Sequence, residues 1–124
     1  MGYVYFAQAR TTGRIKIGCT KNLWRRLSEI QTYSGDMIDL RAHMIDPDAR
    51  ATEAKLHKLF KPARLYGEWH DPHPTILGLI DLIRSKMEPA TLEWYDAMQQ
   101  VFIMDPPEGS AGIPDTPLLC KEGG

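Results

Sequence analysis

Apolar positions in this chain first alternate with polar ones and then take up helical spacing. Tyr3-Val4-Tyr5-Phe6 is a run of aromatic and β-branched residues and predicts a strand. Arg14-Ile15-Lys16-Ile17-Gly18-Cys19 alternates polar and apolar and predicts a second, half-buried strand. The linker Gln8–Gly13 is short, so an antiparallel hairpin is the simplest connection. Tyr5 and Lys16 could then share the polar face, although the pattern alone leaves the register open. Leu23, Leu27 and Ile30 follow at helical spacing, with Thr20 or Asn22 as the cap. Arg26 precedes Leu27 and so projects from the edge of the buried side. Ser34-Gly35-Asp36 breaks that helix, and Met37–Ile45 alternates well enough for a third strand beside the hairpin.

Asp46-Pro47-Asp48 predicts the next helix start, with Asp46 as cap and Pro47 in the first turn. Ala49, Thr52, Glu53, Leu56, His57 and Phe60 recur at three- and four-residue spacing, which places Glu53 and His57 on one face. Lys61-Pro62 ends this helix, and 63–74 reads as a loop. Pro74 opens a helix carrying Ile76, Leu79, Ile80 and Ile83. Pro89 opens another, with Leu92, Tyr95 and Phe102 as packing residues. The expected fold is α+β: a small three-stranded antiparallel sheet flanked by helices, in the order β-β-α-β-α, with added C-terminal helices. The expected organisation is a 1–72 domain, a 73–104 helical extension packed on it, and a flexible 105–124 tail rich in Pro and Gly.

Charge changes this picture more than composition does. The net charge of −1 hides a basic first part, in which residues 1–64 hold 12 Lys/Arg against 6 Asp/Glu, and an acidic remainder. Six cations and no acid lie between Arg10 and Arg26. Such a stretch suits a phosphate backbone, because counterions released on contact drive association. No apolar run approaches the roughly 20 residues that cross a bilayer. The N-terminus lacks the basic flank and cleavage site of a secretory signal. Cys19 and Cys120 make no disulfide framework, so the expectation is a reduced, cytoplasmic protein with no membrane association. His70 and His73 suggest a metal clip with His57, but no paired Cys supports a structural zinc site.

Four stretches in order carry a family likeness. Tyr3-Val4-Tyr5, Lys16-Ile17-Gly18 followed by Arg25-Arg26-Leu27, the helix Glu53–Phe60, and Gly67-Glu68-Trp69 resemble the GIY-YIG nuclease superfamily. They are most similar to its compact, often phage-borne branch with a Lys-Ile-Gly second motif. The likeness covers residues 2–71. It implies an endonuclease that hydrolyses phosphodiester bonds of DNA, most readily double-stranded, with Mg²⁺ or Mn²⁺. Glu53 is then the metal ligand, a hard oxygen donor. Arg26 is the planar clamp for the transition-state phosphate, with Arg25 as its rival. Tyr5 is the base or the group that positions water, and Lys16 is the cation that would stabilise its phenolate or hold the water itself. His57 is a proton shuttle, a phosphate contact or a structural partner. Arg14, Lys21 and Arg25 are the expected DNA-backbone contacts. The sequence departs from the family at Lys16, where a tyrosine is usual, and at His70, where Phe is usual. No Asn follows Glu53, so the late asparagine has no counterpart. That departure motivates a second reading, a catalytically weak or inactive fold of this type kept for DNA binding or regulation.

Overall fold

The structure is a computed structural model that describes residues 1–93, 95 and 97. Three strands, β1 (Gly2–Ala9), β2 (Ile15–Thr20) and β3 (Ile38–Asp46), alternate with helices α1 (Leu23–Ser34) and α2 (Ala49–Leu59) in the order the sequence predicts. After α2 come a 3-10 turn (Lys61–Ala63), two short strands, β4 (Arg64–Tyr66) and β5 (Trp69–His70), and helix α3 (Pro74–Ser85). Residues 89–93 are also helical. The sheet therefore has five strands rather than three, ordered β3-β1-β2-β5-β4, and every neighbouring pair is antiparallel. The expected 63–74 loop holds the extra hairpin. Strands of three and two residues are too short to show a period, and the tight turn is marked only by Gly67 at φ 54°.

Helices cover both sheet faces, and the alternation of β1 sorts its side chains between them. Tyr5, Ala7 and Ala9 meet Leu23, Leu27 and Ile30 of α1. Val4 and Phe6 face the other way, with Ile15, Ile17 and Cys19 of β2, toward α2 and α3. Ile38 and Leu40 of β3 join the α1 side, whereas Ala42 joins the α3 side. A register shift between Phe6 and Ala7 explains this, since Ala42 pairs with Phe6 and Leu40 with Ala7, leaving Arg41 as the extra residue of a bulge. β2 is buried along its whole length rather than half-buried. It is an inner strand between β1 and β5, so its polar positions Lys16, Gly18 and Thr20 lie beneath α1 rather than in solvent.

The helix ends follow local chemistry. Asn22 caps α1, its side chain accepting the Arg25 N–H at 3.1 Å, and Gly35 closes it in the left-handed region. α2 is capped by Asp48, not Asp46, and Pro47 stands before the helix. Asp46 is engaged instead with the Asp48 N–H and the Thr52 hydroxyl, which holds the chain in a turn until Asp48. Pro74 occupies the first turn of α3 as expected, with His73 as cap. Tyr95 is buried against the α1 side, with Leu92 packed beside it. Phe102 and the 105–124 tail lie outside the described residues.

Candidate functional site

The site is built around the outer edge of β2. β5 pairs only with Ile15 and Lys16, so the ladder stops there. The next backbone groups on that edge are taken by other partners. The Ile17 N–H donates to the Glu68 carbonyl at 3.1 Å. The Ile17 carbonyl lies 2.9 Å from His57 Nε2. A carbonyl only accepts, so Nε2 carries the proton and His57 ties α2 to the strand. Gly18 follows, with no side chain to fill the space above it. That space belongs to Tyr5, its partner on β1. A Cβ on Gly18 would stand 2.7 Å from Tyr5 Cζ and closer still to the hydroxyl. The phenol can lie across β2 only because residue 18 is glycine.

The surrounding groups are buried and incompletely paired. Tyr5 is fully buried, and its hydroxyl has no hydrogen-bond partner among the described residues. Arg26 is 6% exposed, with Nη1 3.4 Å from Glu29, while Nε and Nη2 lack partners among the described residues. Glu53 is 4% exposed, and its Oε2 is 3.9 Å from His57 Nε2, an ion-pair separation too long for a hydrogen bond. Glu68 Oε1 lies 3.1 Å from Lys16 Nζ, which also sits 5.4 Å from the Trp69 ring centre. Buried polar groups normally find partners, and each one left without costs about 1–3 kcal/mol. Several near one buried phenol mark a place shaped for something to bind.

Electrostatics fixes what these groups can do. Burial pushes the Tyr5 phenol well above its usual range; Glu68 adds to this and Arg26 opposes it. Tyr5 is therefore a neutral hydroxyl, able to donate a hydrogen bond but unsuited to take a proton as phenolate. Burial also raises the Glu53 carboxyl, His57 pulls it back, and the negative charge of Glu68 raises it further. Donor atoms of Glu53, His57 and Glu68 all lie within 4.8 Å of one another. Two carboxylates at this spacing suit a hard divalent cation, which prefers oxygen ligands. Such a cation would satisfy the orphaned Glu53 oxygen and relieve the repulsion between the two acids. His57 Nε2 is committed to Ile17, so the carboxylates are the better ligands.

The T5orf172 domain profile matches residues 2–76, well over half of the chain. The chain belongs to the T5orf172 domain family. This is a phage-associated domain often found in nuclease-like proteins. No curated protein matches the chain, and no solved structure does.

Within this T5orf172 domain, Tyr5, Lys16, Arg26, Glu53 and His57 are all drawn in around β2 from four separate elements. Tyr5 and Lys16 share the α1 side of the sheet, but Lys16 pairs across with Ala7 and Tyr5 with Gly18, one diagonal step apart. The DNA-contact candidates part company. Lys21 is exposed. Arg14 is half-buried, 5.9 Å from the Tyr66 ring centre. Arg25 is 6% exposed and turned to Glu29 at 3.4 Å. Trp69 packs against the α1-side core, as an anchor would. Two features are not evident from the sequence reading. In the sequence Glu68 belongs only to the Gly67-Glu68-Trp69 stretch; its signal is a carboxylate directly after a turn glycine. Gly18 stands in the sequence only as the last residue of Lys16-Ile17-Gly18, although its lack of a side chain is what admits Tyr5.

Proposed function

We propose that this T5orf172 domain is a divalent-metal-dependent endonuclease that hydrolyses DNA phosphodiester bonds, built on a GIY-YIG-like plan. The observation that carries this reading is the gathering around Tyr5 of a guanidinium with nitrogens unpaired among the described residues and of a carboxylate pair. Glu53 and Glu68 would hold Mg²⁺ or Mn²⁺, which supplies charge neutralisation at the phosphate and at the departing alkoxide. Arg26 offers its two free nitrogens to the phosphate oxygens, and they strengthen as charge builds in the transition state. Tyr5 donates a hydrogen bond to the attacking water or to the phosphate. His57, with its Nε2–H held by the Ile17 carbonyl, fixes α2 against β2 and so positions Glu53. Lys16 neutralises and positions Glu68.

The test is nicking of supercoiled plasmid with Mg²⁺ or Mn²⁺, comparing wild type with Arg26→Ala and Glu53→Ala. Removing one preorganised charge of this kind costs about 10²–10³ in rate. Both variants are expected to lose activity on that scale. Cleavage that survives both substitutions refutes the assignment.

A further inference from the structure

Outside the site, the charge on α2 is one-sided. Its only acidic residue is the buried Glu53, while Arg50, Lys55 and Lys58 are exposed. At 100° per residue, turning away from Glu53 past His57 brings Arg50, Ala54 and Lys58 in succession, at about 60°, 100° and 140°. This row therefore borders the flank of α2 that carries the candidate site. Along the axis, Glu53 falls between Arg50 and Lys58, which are about 12 Å apart. Exposed Ala54 between them adds no bulk. Lys21, at the end of β2, shares a recess of about 170 Å³ with Arg50. Asp48 lines the same recess, but its carboxylate is engaged in capping Ala51. None of Lys21, Arg50 and Lys58 forms an ion pair among the described residues.

We propose that the attacked DNA strand runs along α2, its phosphates held by Lys21 and Arg50 on one side of the scissile position and by Lys58 on the other. The reacting phosphate is then bracketed by cations and lies beside Glu53. This placement rests on the DNA reading above, and it moves the backbone contacts from α1, where Arg25 is buried, to α2.

The experiment is fluorescence anisotropy with a short labelled duplex in EDTA, so that binding is read without cleavage, across a series of salt concentrations. Each lost phosphate contact reduces the slope of log K against log salt by about 0.9. R50Q/K58Q is expected to lose about 1.8 from the slope, and adding K21Q about 0.9 more. K86Q is the control: it removes one exposed charge at the end of α3, which packs on β3 at the opposite edge of the sheet, and should match wild type. A wild-type slope in R50Q/K58Q, or an equal loss in K86Q, overturns the placement alone. Wild-type protein that does not retain DNA at low salt overturns the DNA reading itself.

Discussion

Gly18→Ala gives the sharpest test of how the site is built. In a strand, replacing Gly by Ala ordinarily stabilises by about 0.5–1 kcal/mol, because glycine loses more freedom on folding. Gly18 is not among the positive-φ glycines, so its backbone would accept alanine. The obstacle is Tyr5. The added Cβ would stand 2.7 Å from Tyr5 Cζ and 3.1 Å from Cε2, both inside the 3.4 Å at which ordinary contact begins. Tyr5 is fully buried in the same core cluster as Leu23 and Leu27 of α1, so the ring has no free space behind it. Overpacking of this kind costs about 1–3 kcal/mol. At about 4–8 °C per kcal/mol for a domain this small, the midpoint should fall by about 5–20 °C. The assay is urea and thermal unfolding of wild type, Gly18→Ala, Tyr5→Ala and the double variant. Tyr5→Ala alone should cost about 3–5 kcal/mol. In that background the Gly18→Ala penalty should vanish, giving a coupling energy of about 1–3 kcal/mol. A Gly18→Ala protein as stable as wild type, or equally destabilised with and without the ring, would refute the steric account.

Two further outcomes follow from the site and from its surroundings. Mn²⁺ at 100 times its dissociation constant should stabilise the wild type by about 2.7 kcal/mol. Scanning fluorimetry should show that shift reduced in both Glu53→Gln and Glu68→Gln, and a full shift in either would remove that residue from the ligand set. His43 is half-buried beside Tyr3 and Tyr95, and burial lowers its pKa. A histidine with a lowered folded pKa contributes stability above its unfolded value, about 6.5, and loses it as pH falls through the folded value. Urea midpoints should therefore drop below about pH 6.5, and His43→Gln should flatten that part of the profile; an unchanged slope would exclude His43 as its source.

The parts of the fold carried by long periodic segments were legible in the sequence. Leu23, Leu27 and Ile30 marked α1, Pro74 marked the start of α3, and the order of the first five elements follows from apolar spacing alone. What stayed hidden was set by tertiary partners. β2 looks half-exposed because Lys16 and Thr20 are polar, yet a helix over one face and a hairpin along its edge bury both. The register that sets Tyr5 opposite Gly18 depends on cross-strand pairing, which alternation does not specify. The position beside Leu27 favours Arg26 over Arg25, but the pattern does not show that both are buried beside Glu29. Glu68 is not legible as a site residue because its nearness to Glu53 arises only when the β4–β5 hairpin docks on β2.

The division of the site between the two parts of the chain has a practical consequence. The phenol, Lys16 and Arg26 all precede the exposed turn at Gly35, around which nothing lies within 4 Å of an added side chain. The two carboxylates and His57 all follow it. Cutting the backbone there would yield one piece with the hydroxyl and the cations and another with the acids and the imidazole. Neither piece would hold the complete candidate site. The long β1–β3 ladder joins residues from both sides of the cut, so it supplies a ready-made interface for bringing the pieces back together. The domain is thus arranged as a two-part device whose proposed chemistry can be made conditional on the meeting of its halves.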